Sequence, residues 1–466
     1  MLNHAYKEEE VPIPQMLVLA DKLREQRKPD EAMRLVSKYL DDHFEDVPAL
    51  ALAAHIMMDC ERLGTAQAYL KLAVTLQPES SVLWSNLGIC YRETSDLEEG
   101  EKCFIKALQR DPNNTSALNN LAQLYVNTGQ PLRAINCAEK ALNLDPNQPD
   151  VQYNKGLALL QVGNWKEGWS YFDANLGHMY SRKERTYGNI PRWTGVKDLT
   201  VVAYGEQGLG DEIFFASCLP DLLKQNKVVV ECDKRLENLF RRSFDCPVYG
   251  TRYESSVEWL HEHDPDASVA MGSLPKYFRN SNEDFPGTPF LKPDPQRTVQ
   301  WRALLDSLGP KLKVGIAWSG GIKKTGTKRR SVSLADMRPI LNQDATFISL
   351  QYKNSPEIVD FEKETGIKIH HWPHAMQTND YDDTAALISQ LDLVISVTQS
   401  AIHIAGALGV PCWVLTPKAP MWRYGLSGEK MVWYNSVKLY RQKSDWIHVI
   451  ADAATDLRNL IKNERP

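Results

Sequence analysis

A repeated block is the feature that most restricts what this 466-residue chain can fold into. Three blocks, which begin at Val47, Ser81 and Thr115, align without gaps at a period of about 34 residues. Each has a small residue at its eighth and twentieth positions and ends with a proline, which lets two antiparallel helices pack closely and then stops the second helix. The pattern predicts stacked helix pairs. The small residues are Ala54, Gly88 and Ala122 at the eighth position and Ala66, Gly100 and Ala134 at the twentieth.

The middle block resembles a tetratricopeptide repeat, and the resemblance covers about the first third of the chain. The residues that carry it are Trp84, Leu87, Gly88, Tyr91, Gly100, Phe104, Ala107 and Pro112. Weaker blocks on either side are expected to cap the stack, so we predict an all-α tetratricopeptide solenoid over residues 1–182, followed by a junction at 183–198. The resemblance implies a concave surface that binds a peptide or protein. A scaffold without a ligand of its own remains an alternative.

Apolar runs of strand length alternate with helical segments after the junction. One series begins at Leu199, and a second begins after the break at Gly309-Pro310. Such alternation predicts two Rossmann-like halves, at 199–309 and 310–442, with a cleft between them, and then a carboxy-terminal helix at 443–466. The predicted strands are Leu199–Tyr204, Val228–Cys232, Val248–Tyr249, Ser268–Met271, Leu312–Trp318, Thr346–Tyr352, Ile367–His371, Leu393–Val397 and Cys412–Leu415.

The stretch GEQGLGD after the first strand is a glycine-rich turn. It lacks the lysine of a P-loop, and Ile213 replaces the third glycine of a dinucleotide fingerprint. Glu231 lies where such a fold has its ribose-binding acid, so nicotinamide binding stays open. Asp211 is interpreted either as a helix N-cap or as a general base that faces the cleft. We assign Gln207, Gly208 and Gly210 to the acceptor side.

The stretch from Leu391 to Pro411 has the pattern of a strand, a small polar turn and a helix. Ligands bind at this position in open α/β sheets, where free backbone N–H groups at a helix amino terminus attract phosphate. The predicted donor-binding residues of the turn are Thr398, Gln399, Ser400 and Ala401. His403, in the first helical turn, is predicted to contact phosphate or sugar, with a core or capping histidine as the alternative.

A second candidate for phosphate binding follows the strand that ends at Trp318. Ser319 and Gly320 lead into the basic loop KKTGTKRRS, which contains Lys328 and Arg330. The loop is either solvated or a cationic clamp on a diphosphate, and its expected position opposite the Ser400 turn favours the clamp. Gln351, at the end of the next strand, is a further donor-side candidate.

Composition excludes several classes of function. With a net charge of −5, 43% hydrophobic and 24% charged residues, the chain has the composition of an ordinary soluble protein, and nucleic acid is an unfavoured partner. We see no signal peptide or membrane-spanning run, and the eight cysteines are scattered, so we expect a cytoplasmic protein with reduced thiols. The clustered histidines, among them His370, His371 and His374, are weak evidence for a metal, and we predict none.

Several motifs of the second part resemble glycosyltransferases of the heptosyltransferase type, which have the GT-B fold. They are GEQGLGDEIFFA, SLPKYF, VGIAWSG, KRRSVSL, ISLQY, YDDTAALISQLDLVISV, HIAGALGVPCWVL, WRYG and WYNSVKLYRQ. The layout with repeats is also similar to that of the O-linked N-acetylglucosamine transferases. The resemblance implies a metal-independent transferase that uses a nucleoside-diphosphate sugar as co-substrate, with a UDP-sugar favoured. It implies Asp211 as base, Arg330 as phosphate ligand, and a protein or peptide acceptor presented by the repeats.

The chain departs from that family at two places. Thr398-Gln399 replaces the usual Asp-Thr, and Met421 replaces an acid before the Trp-Arg pair. A non-catalytic interaction protein with a relic or nucleotide-sensing domain therefore remains an alternative. A transferase that acts on a glycan or a hydroxylated nucleobase is another.

Overall fold

The computed structural model describes residues 15–178, 182–255, 257–321, 327–352, 356–376 and 380–463, except for the side chain of Lys328. By packing, the chain divides into two compact units, one up to Lys155 and one from Gly156 onward. The division falls earlier than the predicted end of the repeats at residue 182, because the helix at 165–172 packs within the second unit: Trp169 donates a hydrogen bond to the carbonyl of Arg279 (2.7 Å). No helix of the described ranges has the length and apolar character needed to cross a membrane.

The first unit consists of antiparallel helix pairs, as the repeat predicts. Side-chain caps begin several of the helices, such as Asp46, Ser80, Asp96 and Asn114. A Cβ atom on Gly88 would lie 2.6 Å from the ring of Phe104, so the small eighth residue is required for close packing of the pair. The helices are α1 (Gln15–Glu25), α2 (Pro29–Asp42), α3 (Val47–Asp59), α4 (Leu63–Leu76), α5 (Ser81–Glu93), α6 (Leu97–Arg110), α7 (Thr115–Asn127), α8 (Pro131–Leu144) and α9 (Pro149–Gln161), which runs past Lys155.

The second unit begins with a further helix and a four-stranded parallel sheet. Its strand order is β3-β2-β1-β4, with the buried strand β1 in the centre. The strands are β1 (Thr200–Tyr204), β2 (Lys227–Glu231), β3 (Val248–Tyr249) and β4 (Ala267–Ala270). The helices are α10 (Trp165–Phe172), α11 (Leu209–Phe215), α12 (Leu219–Leu223), α13 (Glu237–Ser243), α14 (Leu260–His263), α15 (Pro275–Phe278) and α16 (Pro295–Asp306).

A seven-stranded sheet follows, in the order β10-β11-β9-β8-β5-β6-β7, and all its pairs are parallel except β10 with β11. Its strands are β5 (Lys313–Ala317), β6 (Thr346–Ser349), β7 (Ile369–His370), β8 (Leu393–Val397), β9 (Cys412–Thr416), β10 (Lys430–Met431) and β11 (Tyr434–Arg441). Its helices are α17 (Thr327–Arg330), α18 (Arg338–Leu341), α19 (Glu357–Thr365), α20 (Pro373–Met376), α21 (Tyr381–Ile388), α22 (Ser400–Leu408) and α23 (Trp446–Asn463).

The two parallel sheets confirm the α/β part of the sequence prediction, and every predicted strand occurs within a few residues of its expected bounds. Strands β10 and β11 are absent from that prediction. The N-cap interpretation of Asp211 is wrong, because α11 begins at Leu209 with Gly208 as its N-cap and Asp211 lies in the first turn. Glu231 is fully buried and accepts hydrogen bonds from Arg185, Tyr187 and Thr251, so it stabilises the first half and has no role as a ribose ligand.

Candidate functional site

A pocket of about 330 Å³ lies between the two sheets of the second unit, where α11 of the first half meets α22 of the second. Its lining combines three arginines with one aspartate, several phenols and the turn before α22. The lining residues are Leu209, Gly210, Asp211, Arg235, Gly321, Arg330, Tyr352, Tyr381, Thr398, Gln399, Ser400, His403, Met421, Arg423 and Tyr424.

The turn before α22 is the second half's contribution to this pocket. Strand β8 is buried between β5 and β9 and delivers Thr398 and Gln399 to the carboxyl edge of the sheet. Gln399 is the N-cap residue of α22 and makes no side-chain capping bond, so the amino terminus of the nine-residue helix has backbone N–H groups without a side-chain acceptor. Such a terminus favours an anion.

Two buried polar atoms in this turn lack hydrogen-bond partners among the described residues. They are Oγ1 of Thr398, a residue that is 2% exposed, and Nε2 of Gln399, a residue that is 9% exposed. Leaving a buried polar group unpaired costs about 1–3 kcal/mol. Two such atoms in one turn at a pocket leave hydrogen bonds that a water molecule or a polar ligand can complete.

The segment after β5 packs directly against the turn. A Cβ atom on Gly320 would lie 2.8 Å from Cβ of Gln399 and 2.9 Å from the carbonyl oxygen of Thr398. Beside it, Gln351 donates from Nε2 to Oγ of Ser319 (2.6 Å), and its Oε1 accepts from the Ser319 N–H (3.4 Å). Gly320 and the Ser319–Gln351 pair therefore pack against the turn, outside the pocket lining, and support it.

The first half contributes Asp211 on α11. A Cβ atom on Gly210 would lie 3.3 Å from Cβ of Ser400, so the two halves approach closely at this point. Arg423 of the second half donates from Nη2 to Oδ1 of Asp211, at 2.6 Å. The candidate base is thus in an ion pair that joins the two halves.

Arg423 is 6% exposed and lies between aromatic rings. Its guanidinium carbon is 4.6 Å from the ring centroid of Phe214 and 5.4 Å from that of Trp422. Burial opposes the charge, but Asp211 together with the neighbouring phenols of Tyr424 and Tyr434 outweighs it, so the pKa of Arg423 lies above its ordinary value. The guanidinium is therefore a fixed cation.

His403 is buried behind Arg423. Its Nε2 is 3.5 Å from Nη1 of Arg423, and its Nδ1 is 3.4 Å from the phenol oxygen of Tyr434. Burial, and then the neighbouring arginine, hold the pKa of His403 well below its ordinary value. The imidazole is therefore neutral and accepts from Arg423.

Arg330 and Arg235 also line the pocket. Arg330 donates from Nη1 to the sulfur of Met421 (3.5 Å). Met421 is the residue that replaces the acid found in the heptosyltransferase-type family that the sequence resembles. Burial lowers the pKa of Arg330 below its ordinary value. Arg235 is bidentate to Asp233, at 2.9 and 2.8 Å, which neutralises its charge.

The pocket also presents phenols. Tyr352, Tyr381 and Tyr424 line it, and burial raises the pKa of Tyr424 to about 12. These side chains offer O–H donors and flat apolar faces, a combination suited to a sugar or a nucleobase.

The structure brings half of the fourteen predicted site residues together in the pocket lining. Asp211, Gly210, Arg330, Thr398, Gln399, Ser400 and His403 line one pocket. Ser319, Gly320, Gln351 and Ala401 lie behind it as support, and Gln207 donates to Glu206 Oε1 (3.0 Å) outside the lining. Gly208 caps α11 and is also outside the lining. The side chain of Lys328 and the basic residues Lys323 and Lys324 lie outside the described part of the chain.

Sequence reasoning did not assign Arg423, Arg235 or the three tyrosines. The signal for Arg423 was present in the motif WRYG, where an arginine follows a large aromatic residue after the last predicted strand. Its partner Asp211 is 212 residues away, so the pair could not be read from spacing.

No group of three or more histidine, cysteine, aspartate or glutamate side chains is placed to hold a metal ion within the described ranges. His370 stacks on Trp372, at a centroid distance of 5.8 Å, and His374 stacks on Trp301 at 5.5 Å. These histidines therefore belong to an aromatic surface stack.

The tetratricopeptide-repeat family profile matches residues 79–147 of the chain. Among curated proteins, Protein FlbA of Caulobacter vibrioides is 29% identical over 455 residues, which cover 92% of this chain and 76% of that protein. Transcription factor tau subunit sfc4 of Schizosaccharomyces pombe is 38% identical over 66 residues, or 14% of this chain and 7% of that protein.

Solved structures also resemble part of the chain. The crystal structure of MamA is 24% identical with a TM-score of 0.31, over 34% of this chain and 92% of that one. That of YrrB, described as a tetratricopeptide-repeat protein with an unusual peptide-binding site, is 18% identical with a TM-score of 0.30, over 38% and 90%. The profile match by itself shows that the chain contains tetratricopeptide repeats at residues 79–147.

Proposed function

We propose that this repeat-containing protein is a metal-independent glycosyltransferase of the GT-B type, which moves a sugar from a nucleoside diphosphate to a hydroxyl group on a protein or peptide. One observation carries the proposal: a carboxylate on the first half faces arginines and an uncapped helix terminus on the second half, across one pocket. This is the arrangement that a base-assisted displacement of a diphosphate requires.

The donor diphosphate fits the second-half side of the pocket. The amino terminus of α22, Arg330 and Arg423 would stabilise its negative charge and donate hydrogen bonds to its oxygens. The unpaired atoms of Thr398 and Gln399 would bond to phosphate or sugar oxygens. A UDP-sugar remains the favoured donor, with the tyrosines as candidate surfaces for uracil or sugar.

The acceptor hydroxyl would approach from the side of α11. Asp211 takes its proton as the hydroxyl oxygen forms a bond to the anomeric carbon of the sugar. The bond from that carbon to the diphosphate oxygen breaks, and the diphosphate leaves with the bonding electrons. The arginines and the helix terminus stabilise the charge that develops on this leaving group.

A test of the base is the variant Asp211→Asn, which retains the shape of the side chain but cannot accept the proton. Loss of a general base lowers a rate by about 10²–10⁴-fold. We expect such a fall in kcat, measured as release of UDP in the presence of acceptor, while binding of the UDP-sugar is retained. A variant that transfers sugar within a few-fold of the wild-type rate would show that Asp211 is not the base.

A second candidate is a non-catalytic interaction protein, and the tetratricopeptide-repeat match at residues 79–147 favours it. Such repeats commonly bind peptides or proteins through a concave surface. A thermal-shift screen with UDP-, ADP-, GDP- and CDP-sugars separates the two functions. Stabilisation by one sugar nucleotide, followed by turnover, supports the transferase, and binding without turnover supports the interaction protein.

A further inference from the structure

We infer that Arg423 is a positioning residue that keeps Asp211 in an ion pair until an anionic donor binds to the arginine in its place. The inference rests on the proposed function and adds an order of events to it. In the empty site Arg423 occupies one oxygen of the Asp211 carboxylate, and both oxygens would become available to an acceptor only after the donor occupies the pocket.

The ion pair itself is the first observation. Nη2 of Arg423 lies 2.6 Å from Oδ1 of Asp211, so one oxygen of the proposed base is already occupied by a donor. The two residues belong to different halves of the α/β unit. The Asp211 side chain is 27% exposed and the Arg423 side chain 6%, so the carboxylate is the partner that solvent or an acceptor can reach.

The guanidinium has capacity for a second partner. Its Nε finds no hydrogen-bond acceptor in the part of the chain that the structure describes, and Nη1 makes only a 3.5 Å contact with neutral His403. Phe214 and Trp422 hold the plane of the group. A phosphate oxygen would thus find an oriented cation with spare donors, and a bidentate bond to phosphate is stronger than the single bond to Asp211.

The residues around the ion pair favour an exchange in which an anion replaces Asp211 as the partner of Arg423. Within the described lining, Asp211 is the one carboxylate that faces the pocket, since Met421 stands where an acid would otherwise contact Arg330. The amino terminus of α22 lies in the same lining and adds attraction for the incoming anion. An anion bound there competes with Asp211 for Arg423, and the released carboxylate can accept the hydroxyl proton.

Anion affinity tests this competition without reference to turnover. Calorimetric titration with UDP and with inorganic pyrophosphate would be made on the full chain and on Asp211→Asn, Arg423→Gln and the double variant. If Asp211 competes for Arg423, we expect Asp211→Asn to bind both anions several-fold more tightly than the wild type. Arg423→Gln should bind them at least tenfold more weakly.

The double variant is the matched control. Removing a negative charge near any anion site raises affinity somewhat, but a gain that passes through Arg423 must disappear when glutamine replaces it. A gain of equal size in the Arg423→Gln background would overturn the inference, as would unchanged or weaker binding by Asp211→Asn. Circular dichroism and thermal melting of each variant establish that it is folded.

A conservative variant gives a second measurement. Arg423→Lys keeps the charge but loses the fork of donors, so we expect an affinity between those of the wild type and Arg423→Gln. Wild-type affinity in Arg423→Lys would show that the fork of donors is not needed, and would contradict the bidentate bond on which the exchange rests. Absence of binding of both anions to every protein would overturn the proposed function itself, whereas binding with no effect of Asp211→Asn overturns the exchange alone.

Discussion

His403 shows how burial changes the chemistry of a single residue. From sequence it is a candidate donor to the leaving phosphate, but in the structure it is 4% exposed, and its ring nitrogens face Arg423 and Tyr434. With its pKa well below the ordinary value, the imidazole is neutral at neutral pH, and when Nε2 accepts from Arg423 its single N–H is on Nδ1 and faces Tyr434. Its contribution is an acceptor nitrogen that orients Arg423.

The depressed pKa of His403 predicts a pH dependence of stability. Below about pH 6.5 the unfolded chain takes up a proton at this histidine, whereas the folded protein does not. The free energy of unfolding therefore falls as the pH drops below that value, by about 1.4 kcal/mol per pH unit from this residue. Denaturant unfolding of the wild type and His403→Gln between pH 7 and pH 5 should show a shallower fall in the variant.

An exposed histidine provides the control for that measurement. His448 lies on the solvent side of α23, so His448→Gln should follow the wild-type curve. If His403→Gln lost stability with pH as steeply as the wild type, the folded protein would have to protonate His403, which the burial argues against.

At the scale of elements, the site depends on the close approach of two turns. The segment after β5 and the turn before α22 touch at Gly320, and there is no room for a side chain between them. The helix behind the turn is held in the same way, since a Cβ atom on Gly406 would lie 2.4 Å from the ring of Tyr434 on β11. The position and orientation of the helix terminus are therefore set by close packing of these two glycines against neighbouring side chains and one backbone carbonyl.

Gly320→Ala tests this arrangement. The new methyl group must displace Gln399 or the carbonyl of Thr398, and overpacking of this kind costs about 1–3 kcal/mol. We expect a lower melting temperature and at least tenfold weaker binding of UDP, measured by calorimetry. Gly64→Ala is the control, because a Cβ atom there meets nothing within 4 Å, and alanine in that helix should be neutral or stabilising. Unchanged UDP affinity in Gly320→Ala would show that the turn is not part of the binding site.

At the scale of the whole molecule, the pocket predicts the metal requirement. Arg330, Arg423 and a helix terminus in its lining attract and stabilise negative charge. The described lining contains a single carboxylate, whereas a divalent cation prefers a cluster of oxygen ligands. We expect transfer to continue at the same rate in excess EDTA. A rate that falls with EDTA and returns with added magnesium or manganese would contradict this prediction.

The division into two units predicts that the second unit binds the sugar nucleotide and that the repeats deliver the protein acceptor. Every described residue of the pocket lies between Leu209 and Tyr424, in the second unit. A truncated chain that begins at Asn147 keeps α9 and α10, and with them the packing of Trp169 against Trp422 and Phe172. We expect it to bind UDP with wild-type affinity but to transfer sugar poorly to a protein acceptor.

The matched control for that truncation is transfer to water. Hydrolysis of the UDP-sugar needs no delivered acceptor, so the truncated chain should hydrolyse the donor as fast as the full chain. If the truncated chain transferred sugar to the protein acceptor at the full rate, the repeats would have no part in delivery.

The sequence by itself determined the classes of element and located the polar turn before α22. The 34-residue period and the alternation of strands with helices indicate which faces of the elements are buried. The buried face of an element can be read from the spacing of its apolar residues in the sequence. Thr398 to Ser400 were predicted to bind a ligand because a polar turn between a buried strand and a helix is where open α/β sheets bind ligands, and the structure places all three at the pocket. Strands β10 and β11 were missed, because β10 has only two residues and the polar residues Asn435 and Ser436 interrupt the apolar pattern at the start of β11.

Only the tertiary structure decided which side chains share the site. Asp211 was found as a candidate base, but its partner Arg423 lies 212 residues further along, and their contact depends on how two sheets pack. The same packing buried His403, drew Ser319 and Gln351 into a supporting pair, and left Thr398 and Gln399 with unpaired atoms at the pocket. Contacts between distant segments depend on three-dimensional packing that no local pattern encodes, so the roles of these residues follow from the fold.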